Sequence, residues 1–254
     1  MAEPISLVTD SYPGIPGLDT TLARALLQSV SAGGIGETFR IYSPGRVMAF
    51  GKRDTVTPGF PEAASAARSQ GYLPLVRLAG GRAAVFHEGT LAFGWTMPIE
   101  DPRSGIQDRF SALSGLMVRA FDRLGVPTAI GEIPGEYCPG RFSVHHSGRR
   151  KVMGVGQRLA QNAAHVGGVI VVTGADTINE VLLPVYTALN VHFEPAATGA
   201  LSDLIPEVTV AAVVAAIVAE LQLGREVSDS TLSSTMVRRG RDMLADHLVT
   251  TDGE

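Results

Sequence analysis

The chain has 254 residues, of which 45% are hydrophobic and 18% are charged, and its formal net charge at pH 7 is -4. A chain of this length and composition can bury a substantial core, which excludes an intrinsically disordered protein and favours one domain with at most a small appendage. The net negative charge gives no overall attraction to nucleic acid, and the longest apolar segment, 208–219, is far shorter than the about 20 residues that span a bilayer.

The sequence contains one cysteine, which cannot form a disulfide within the chain. A lone thiol is typical of a protein in a reducing compartment. Residues 1–17 lack the basic start and apolar run of a secretory signal. We therefore expect a cytoplasmic location, with neither a membrane nor a nucleic acid as partner.

The first predicted elements are a helix, two strands and a second helix. Asp19 is expected to cap a helix over 19–27, whose apolar residues fall on one face. Two short strands are expected within 38–51, around a Ser-Pro-Gly turn. An Ala-rich helix over 61–70 should end at Gly71.

The middle of the chain predicts strands and one long helix. Residues 73–98 are expected to form a strand, a break at two glycines, and two further strands joined near 87–89. Apolar residues spaced alternately by four and three predict an amphipathic helix over 106–124, which Gly125 should end. A short strand is expected over 128–132.

The last third predicts a hairpin and then mainly helices. The hairpin should occupy 141–159, with a Ser-Gly turn, and be followed by a strand. A helix over 176–189 is expected to be broken or started by Pro184. Two further helices, joined by a polar link, should form a small C-terminal extension, 206–254, beside a catalytic domain, 1–205. Because strands and helices do not alternate regularly, the fold class predicted is α+β.

Cys138 is the first candidate for chemistry. A free cysteine is often a small buried apolar residue. Here it precedes Pro139 and Gly140, which favour a tight turn and therefore an accessible thiol. Positive charge near a thiol lowers its pKa toward the reactive thiolate, and 139–158 contain no Asp or Glu. The basic residues of this stretch are Arg141, Arg149, Arg150, Lys151 and Arg158, with His145 and His146. A solvated hairpin face is the alternative interpretation of these charges.

Lys151 is the second candidate. In an extended strand it shares one face with Met153 and Val155, and a lysine on an apolar face is costly unless it meets an anion, a carbonyl or a developing oxyanion. The alternative is a lysine that extends its amine to solvent at the strand edge. Gly154 and Gly156 would let a ligand or another segment approach this strand closely.

A glycine loop forms a third candidate. Gly80 and Gly81 could present backbone N–H groups to a carboxylate, a phosphate or a thioester carbonyl, with Arg77 and Arg82 on either side. Two glycines alone more often mark only a turn. His87 could act as a general base, although a lone histidine at a strand end is more often structural. No second histidine lies at ligand spacing, so no metal site is expected, and neither a phosphate-binding loop motif nor a serine-hydrolase elbow is present.

Taken together, these motifs resemble the biotin/lipoate protein ligase catalytic domain. The resemblance covers about residues 19–205. The sequences that carry it are LDTTLARALL, FRIYSPGRVMAFGKRD, VRLAGGRAAVFHEGTL and GRRKVMGVGQR. The pair GEYCPGRFSV and GRRKVMGVGQR is most similar to the cysteine-dependent branch, the octanoyl-[glycine cleavage protein H]:protein N-octanoyltransferases or lipoyl amidotransferases.

This resemblance implies a mixed, largely antiparallel sheet with flanking helices and an acyl group in a tunnel along the sheet. It also implies a reaction. Cys138 would take an octanoyl or lipoyl group from a donor lysine as a thioester and pass it to an acceptor lysine. Lys151 would stabilise or position the acyl carbonyl, and the loop at Gly80 and Gly81 would shape the pocket. Arg77, His87, Gly154 and Gly156 complete the expected substrate-binding residues.

Two alternatives stay open. Lipoate ligases that use ATP have a longer glycine series than the one that Arg82 interrupts here, which favours the transferase, whereas His87 lies where ligases often carry a histidine. An ATP- and Mg-dependent lipoate–protein ligase would not need Cys138. A non-catalytic acyl- or carrier-binding protein would bury it unreactive. The transferase itself needs no cofactor, and its expected partners are glycine cleavage protein H and the E2 subunits of 2-oxoacid dehydrogenases.

Overall fold

The computed structural model describes residues 4–250. The α-helices are α1 (Leu18–Ser31), α2 (Lys52–Thr55), α3 (Phe60–Ser69), α4 (Ile106–Arg123), α5 (Ala175–Ala188), α6 (Val210–Gly224) and α7 (Ser234–Asp242). The β-strands are β1 (Ile5–Val8), β2 (Thr38–Tyr42), β3 (Val47–Phe50), β4 (Leu73–Val76), β5 (Ala84–Phe86), β6 (Thr90–Pro98), β7 (Ala129–Ile130), β8 (Val144–His146), β9 (Arg150–Ala160), β10 (Ala163–Val171) and β11 (Val227–Ser230).

The strands form a large sheet and a small one. The large sheet has the order β11-β1-β2-β6-β10-β9-β8-β7, and the small sheet has the order β4-β3-β5. Strand β1 pairs in parallel with β11 and β2, and the other pairs of the large sheet are antiparallel. In the small sheet β3 is parallel to β4 and antiparallel to β5. The α+β fold with a mixed, largely antiparallel sheet and flanking helices is therefore confirmed.

The alternation of β2 shows how the two faces of the large sheet are used. Phe39 and Ile41 point to one face and join the core beneath α4 and α6. Arg40 points to the other face, where its guanidinium forms a buried ion pair with Asp19 of α1 and also donates to the Asp19 carbonyl oxygen (3.0 Å). A charged pair at this depth persists because each group is hydrogen-bonded. Helix α1 thus covers the sheet through a polar contact.

The small sheet has its own core. Met48 and Phe50 of β3 pack with the buried alanines of α3 and with Tyr186 and Val185 of α5. Phe50 and Phe60 make an edge-to-face contact with ring centroids 5.0 Å apart. This second core fixes the position of the segment between β4 and β5, which carries the two glycines.

Residues beyond 205 pack against the rest of the chain. Helix α6 lies on α4, β11 adds a parallel strand to β1, and Gly240 of α7 lies against Leu22 of α1. The backbone near His247 extends β4, since Val76 N–H donates to the His247 carbonyl oxygen (2.8 Å). The two helices expected here are confirmed. The division into 1–205 and 206–254 stays a prediction, and residues 1–3 and 251–254 of those ranges lie outside the described part.

Several local predictions need correction. Asp19 is not the cap of α1: Gly17, with φ +86°, precedes the helix, and the Asp19 carboxylate binds Arg40 instead. Pro184 neither breaks nor starts α5, because buried neighbours hold the helix although one backbone donor is missing. The two strands within 38–51 exist but lie in different sheets, as β2 and β3. Strands β1 and β11 were not predicted.

The predicted hairpin and its Ser-Gly turn are confirmed, although the first strand covers only Val144–His146 and not 141–143. Strands β8 and β9 are antiparallel, and the turn between them places Ser147 and Gly148 at positive φ, 55° and 65°. Two consecutive positive φ values match the twist of the adjoining strands. This hairpin delivers Lys151 into the protein at the start of β9. Within residues 4–250, no helix has the length and apolar character needed to cross a membrane.

Candidate active site

Cys138 lies in the loop between β7 and β8, in a conformation that few residues adopt. Its φ is +44°, in the left-handed region that is uncommon for a residue with a side chain. The backbone is held on both sides: Cys138 N–H donates to the Tyr186 hydroxyl (3.0 Å), and the Cys138 carbonyl oxygen accepts from Lys151 Nζ (2.7 Å). The Tyr186 hydroxyl in turn donates to the Ala83 carbonyl oxygen (3.0 Å). Such strain persists only where the surroundings determine the conformation.

Two N–H donors reach the Cys138 sulfur. The backbone N–H of Arg82 lies 3.1 Å from Sγ, and Arg77 Nη2 lies 3.4 Å from it. The thiol is partly buried. Burial by itself raises the pKa of the Cys138 thiol. The positive charges of Arg77 and Lys151, with the two hydrogen bonds, more than offset burial, and the pKa of Cys138 is lowered below its ordinary value. The loop therefore holds a thiol that favours the thiolate.

The glycine loop is fixed by a chain of polar contacts. Arg77 Nη2 also donates to the Arg82 carbonyl oxygen (2.9 Å), and Arg82 Nη1 forms an ion pair with Asp54 Oδ1 (3.1 Å). The fully buried Asp54 accepts from the backbone N–H of Gly51 through its other oxygen (2.9 Å). Helix α2 is thereby tied to the loop that donates to the thiol.

Lys151 uses three donors inside the protein. Its amine donates to the carbonyl oxygens of Cys138 and Tyr137 (2.7 and 3.0 Å) and forms an ion pair with Glu136 Oε1 (3.3 Å). It also lies 5.0 Å from the centre of the Tyr137 ring. The side chain is 1% exposed, which contradicts a lysine that extends to solvent. The expected partner for a lysine on an apolar face is present: an anion and two carbonyls.

Glu136 balances this buried amine. Its side chain is fully buried, and Oε1 also accepts from Ser143 Oγ (2.7 Å) and Gly140 N–H (2.8 Å). The carboxylate therefore connects both ends of the nucleophile loop, which we define as residues 136–143, to Lys151. An ion pair at this depth is retained when further hydrogen bonds satisfy its remaining atoms.

A narrow cavity of about 50 Å³ begins beside Arg77 and runs between α1 and the large sheet. Its walls include Tyr42, Phe86, Phe93 and His165. His165 Nδ1 lies 2.8 Å from Thr96 Oγ1. Burial, helped by the charge of Arg40, lowers the pKa of His165 to about 4, so this wall residue is neutral at pH 7. The cavity is mainly apolar and adjoins the guanidinium that contacts the thiol.

The structure brings together most of the residues singled out from the sequence. Arg77 and Lys151 contact Cys138, and Gly81 lies beside its sulfur, since a β-carbon at Gly81 would lie 2.7 Å from Sγ. Gly156 adjoins the glycine loop, since a β-carbon there would lie 3.1 Å from the Gly80 carbonyl oxygen. Gly154 lies beneath the Lys151 side chain, since a β-carbon at Gly154 would lie 3.6 Å from Nζ.

His87 is not among them. It is buried at the end of β5, where its Nδ1 accepts from Gly89 N–H (3.0 Å) and its backbone N–H donates to Thr90 Oγ1 (3.0 Å). Burial lowers the pKa of His87. Its hydrogen-bond partners within residues 4–250 do not include Cys138 or Lys151, and its Nε2 is buried there without a partner. The expected substrate-binding role of His87 stays a prediction.

Sequence reasoning missed several residues of the site. Glu136 lies two positions before the cysteine and carried a usable signal, since a buried lysine requires an anion. Tyr186 and Asp54 belong to other elements, and no local pattern connects them to Cys138. In the sequence, His165 is one polar residue within an apolar strand. Its place in the cavity wall depends on the packing of α1 against the sheet.

Gly81 and Gly80 form a matched pair for testing the loop. Gly81 has φ +107°, and a β-carbon there would lie 2.7 Å from Cys138 Sγ, whereas one at Gly80 would meet no heavy atom within 4 Å. Gly81→Ala should displace the sulfur from its donors. Since a hydrogen bond to a charged group contributes about 1.5–3 kcal/mol, alkylation of Cys138 by iodoacetamide at pH 7 should slow about tenfold or more. In Gly80→Ala, Cys138 should be alkylated at the same rate as in the unmodified protein. Equal rates for both variants would contradict this role of Gly81.

The sequence matches the model of a known family over residues 17–222, the lipoyl protein ligase A/B catalytic domain. Among curated relatives, the chain is 30% identical over 151 residues to the octanoyl-[GcvH]:protein N-octanoyltransferase of Geobacillus kaustophilus, covering 59% of this chain and 53% of that protein. It is 31% identical over 153 residues to the protein of the same name from Anoxybacillus flavithermus, covering 59% and 54%. The chain spans about half the length of the curated relatives it matches.

Solved structures show the same fold. The structure of a lipoate-protein ligase A bound with ATP superposes with a TM-score of 0.77 over 96% of this chain and 95% of that one, at 17% sequence identity. At this identity the likeness concerns the fold alone. The matched family model covers most of the sequence, from α1 to α6. The chain therefore belongs to the lipoyl protein ligase A/B catalytic domain family.

Proposed function

We propose that this protein is a protein-lysine acyltransferase that moves an octanoyl or lipoyl group between lysines of lipoyl carrier domains, through a thioester on Cys138. The observation that carries the proposal is the environment of the thiol: a backbone N–H and a guanidinium lie within hydrogen-bonding distance of Sγ, and the pKa of Cys138 is lowered. Two relatives named as octanoyl-[GcvH]:protein N-octanoyltransferases support the transfer of an octanoyl group between proteins.

The reaction has two steps that balance in atoms and charge. The Cys138 thiolate attacks the acyl carbonyl of the donor lysine amide, the C–S bond forms, the C–N bond breaks, and the departing donor amine takes a proton from water. The amine of the acceptor lysine then attacks the thioester, the C–N bond forms and the C–S bond breaks. The proton lost by the acceptor amine returns to water, and the Cys138 thiolate is restored. Nucleophilic catalysis of this kind divides one difficult exchange into two easier steps.

The groups around the sulfur have separate roles in this proposal. When the C–S bond forms, negative charge moves from the sulfur to the carbonyl oxygen, and the Arg82 N–H and Arg77 are the donors beside that position. The three contacts of Lys151 are with Glu136 and with the backbone of Tyr137 and Cys138. We therefore assign Lys151 to holding the nucleophile loop in its strained conformation, and to lowering the thiol pKa by its charge.

The narrow cavity beside Arg77 is the proposed site of the acyl chain. Its volume of about 50 Å³ is well below the roughly 150 Å³ of an apolar cavity that admits benzene. The proposal therefore requires the walls to separate when an eight-carbon chain enters. The wall formed by Leu78 and Ala79, next to two glycines, is the segment expected to move.

The proposal also specifies partners, cofactors and location. The carrier domains would be glycine cleavage protein H as donor and E2 lipoyl domains as acceptors. The exchange replaces one amide by another, so it proceeds without ATP or a metal. A cytoplasmic location would keep Cys138 reduced, as its role requires.

The test is transfer between two carrier domains of different mass. Octanoylated glycine cleavage protein H and an unmodified E2 lipoyl domain are incubated with the protein, without ATP, and both carriers are followed by intact mass spectrometry. The proposal predicts that the octanoyl group appears on the E2 domain at the rate at which it leaves the donor. Modification of the E2 domain only after addition of free octanoate, ATP and Mg²⁺ would overturn the proposal in favour of a ligase. No modification under either condition would favour a non-catalytic carrier-binding protein.

A further inference from the structure

A second cavity, of about 240 Å³, also has Arg77 in its wall. It shares Arg77 and Leu78 with the narrow cavity, so the two cavities adjoin at the residue whose guanidinium contacts Cys138. Its walls carry four cationic side chains, a histidine and one carboxylate: Arg24, Lys52, Arg77, Arg158, His247 and Asp246. The walls of this cavity are therefore positively charged, although the chain as a whole has a net charge of -4.

The carboxylate does not neutralise the cavity. Asp246 is already paired with Arg24 (2.9 Å), and the same guanidinium lies 3.3 Å from His247 Nε2. Lys52 and Arg158 are exposed, and within residues 4–250 neither makes an ion pair or a side-chain hydrogen bond. Two cations at the mouth of the cavity thus lack an anion within the described chain.

The surface beside Lys52 is held in a defined place. Asp54 of α2 accepts from Gly51 N–H and pairs with Arg82, whose own N–H donates to the thiol. Arg53 is exposed and also makes no ion pair among residues 4–250. Val56, which follows α2, is 82% exposed and is the most exposed of the large apolar side chains in the described chain. We call Lys52, Arg53, Val56 and Arg158 the α2 rim.

We propose that the α2 rim and the cationic cavity form the docking surface for the carrier domain, which presents carboxylates to Lys52 and Arg158 and an apolar side chain to Val56. This inference rests on the proposed function and adds the place and the chemistry of the partner. Charge complementarity is its basis, because opposite potentials steer encounter and select partners. A carrier seated here would direct its modified lysine past Arg77 toward Cys138.

Two cations nearer the thiol, Arg77 and Lys151, have a chemical consequence for the acceptor. An acceptor lysine attacks a thioester only as the neutral amine, and nearby positive charge disfavours its protonated form. The approach past Arg77 and toward Lys151 would therefore lower the pKa of the acceptor amine. Carboxylates elsewhere on the carrier supply the attraction that its lysine lacks in this environment.

The test compares the double variant K52E/R158E with R238E, a charge reversal at an exposed cation of α7. We expect the double variant to bind an unacylated E2 lipoyl domain about ten- to a hundredfold more weakly, measured by isothermal titration calorimetry at low salt. R238E should bind like the unmodified protein. Acylation of Cys138 by p-nitrophenyl octanoate, which has no carrier, should be the same in all three proteins, and this also shows that the double variant is folded.

The outcomes separate the inference from the proposed function. Unchanged carrier affinity in K52E/R158E would overturn the docking surface, whether or not acyl transfer occurs. If the double variant instead loses a thermal shift caused by ATP while its carrier affinity is unchanged, the cavity is a nucleotide site and the inference is likewise overturned. Failure of the proposed function would be seen differently, as absent transfer by the unmodified protein, while the loss of carrier binding in the double variant would still support the surface.

Discussion

Replacing Cys138 with serine is expected to lower the rate of acyl transfer between carrier domains at least about a thousandfold, because a neutral hydroxyl is a far weaker nucleophile than a thiolate. Serine keeps a similar size and can accept from the Arg82 N–H and from Arg77, so the loop should be preserved. The measurement is the initial transfer rate with octanoylated glycine cleavage protein H as donor, beside the thermal unfolding midpoint of each protein.

A Cys138→Ser variant with an unchanged unfolding midpoint and no transfer assigns the loss to chemistry. Transfer within tenfold of the unmodified rate would show that Cys138 is not the nucleophile, as an ATP-dependent ligase requires.

The pH dependence of Cys138 alkylation tests the role of Arg77 separately. The pKa of Cys138 is lowered because the charges of Arg77 and Lys151 and two hydrogen bonds outweigh burial. Removing the positive charge in Arg77→Met favours the protonated thiol, so the pH profile of Cys138 alkylation should move to higher pH. A profile unchanged by this substitution would contradict the assigned role of Arg77.

Among the substitutions proposed, those that break the buried pair of Glu136 and Lys151 should reduce the free energy of unfolding most. Lys151→Met leaves the Glu136 carboxylate fully buried without its cation, and Glu136→Gln leaves the amine with carbonyl partners alone. Removing one partner of a buried pair costs about 3–5 kcal/mol. We expect each single variant to lose about this much free energy of unfolding, measured by urea denaturation.

The double variant Glu136→Gln/Lys151→Met separates stability from activity. It removes both charges, so much of the lost free energy of unfolding should return. Transfer should not return, because the Cys138 carbonyl oxygen has lost the Nζ donor that holds the loop. Glu88→Gln is the matched control, since Glu88 pairs with Arg46 on the surface and its loss should cost at most about 1 kcal/mol. A double variant with unmodified transfer activity would show that Lys151 does not position the nucleophile.

Local elements were predictable because their signals are local. The four-and-three spacing of apolar residues gives α4, and the Ser-Gly turn gives the hairpin that carries Lys151. The assignment of neighbouring strands to different sheets was not predictable from local pattern. Strands β2 and β3 are separated by a short turn yet pair with strands from other parts of the chain, and β1 pairs with β11 from the opposite end.

The candidate site likewise combines residues with a local sequence signal and residues without one. The cysteine turn, the buried lysine and the glycine loop each carried a recognisable pattern, and resemblance to a family placed them in one reaction. Their supports come from long-range packing: Tyr186 from α5, Asp54 from α2 and the wall residue His165 from β10. Asp19 shows how a local signal can mislead. Aspartate favours helix N-caps, which predicts a cap here, but in the structure its carboxylate pairs with Arg40.

The measurement that tests the central claim most directly is the intact mass of the protein after incubation with an octanoylated carrier domain and no ATP, with Cys138→Ala alongside. The account predicts one octanoyl adduct on the unmodified protein, removed by hydroxylamine as a thioester is, and no adduct on the variant. An adduct that persists in Cys138→Ala, or transfer between carriers by the unmodified protein with no adduct on the sulfur, would contradict it.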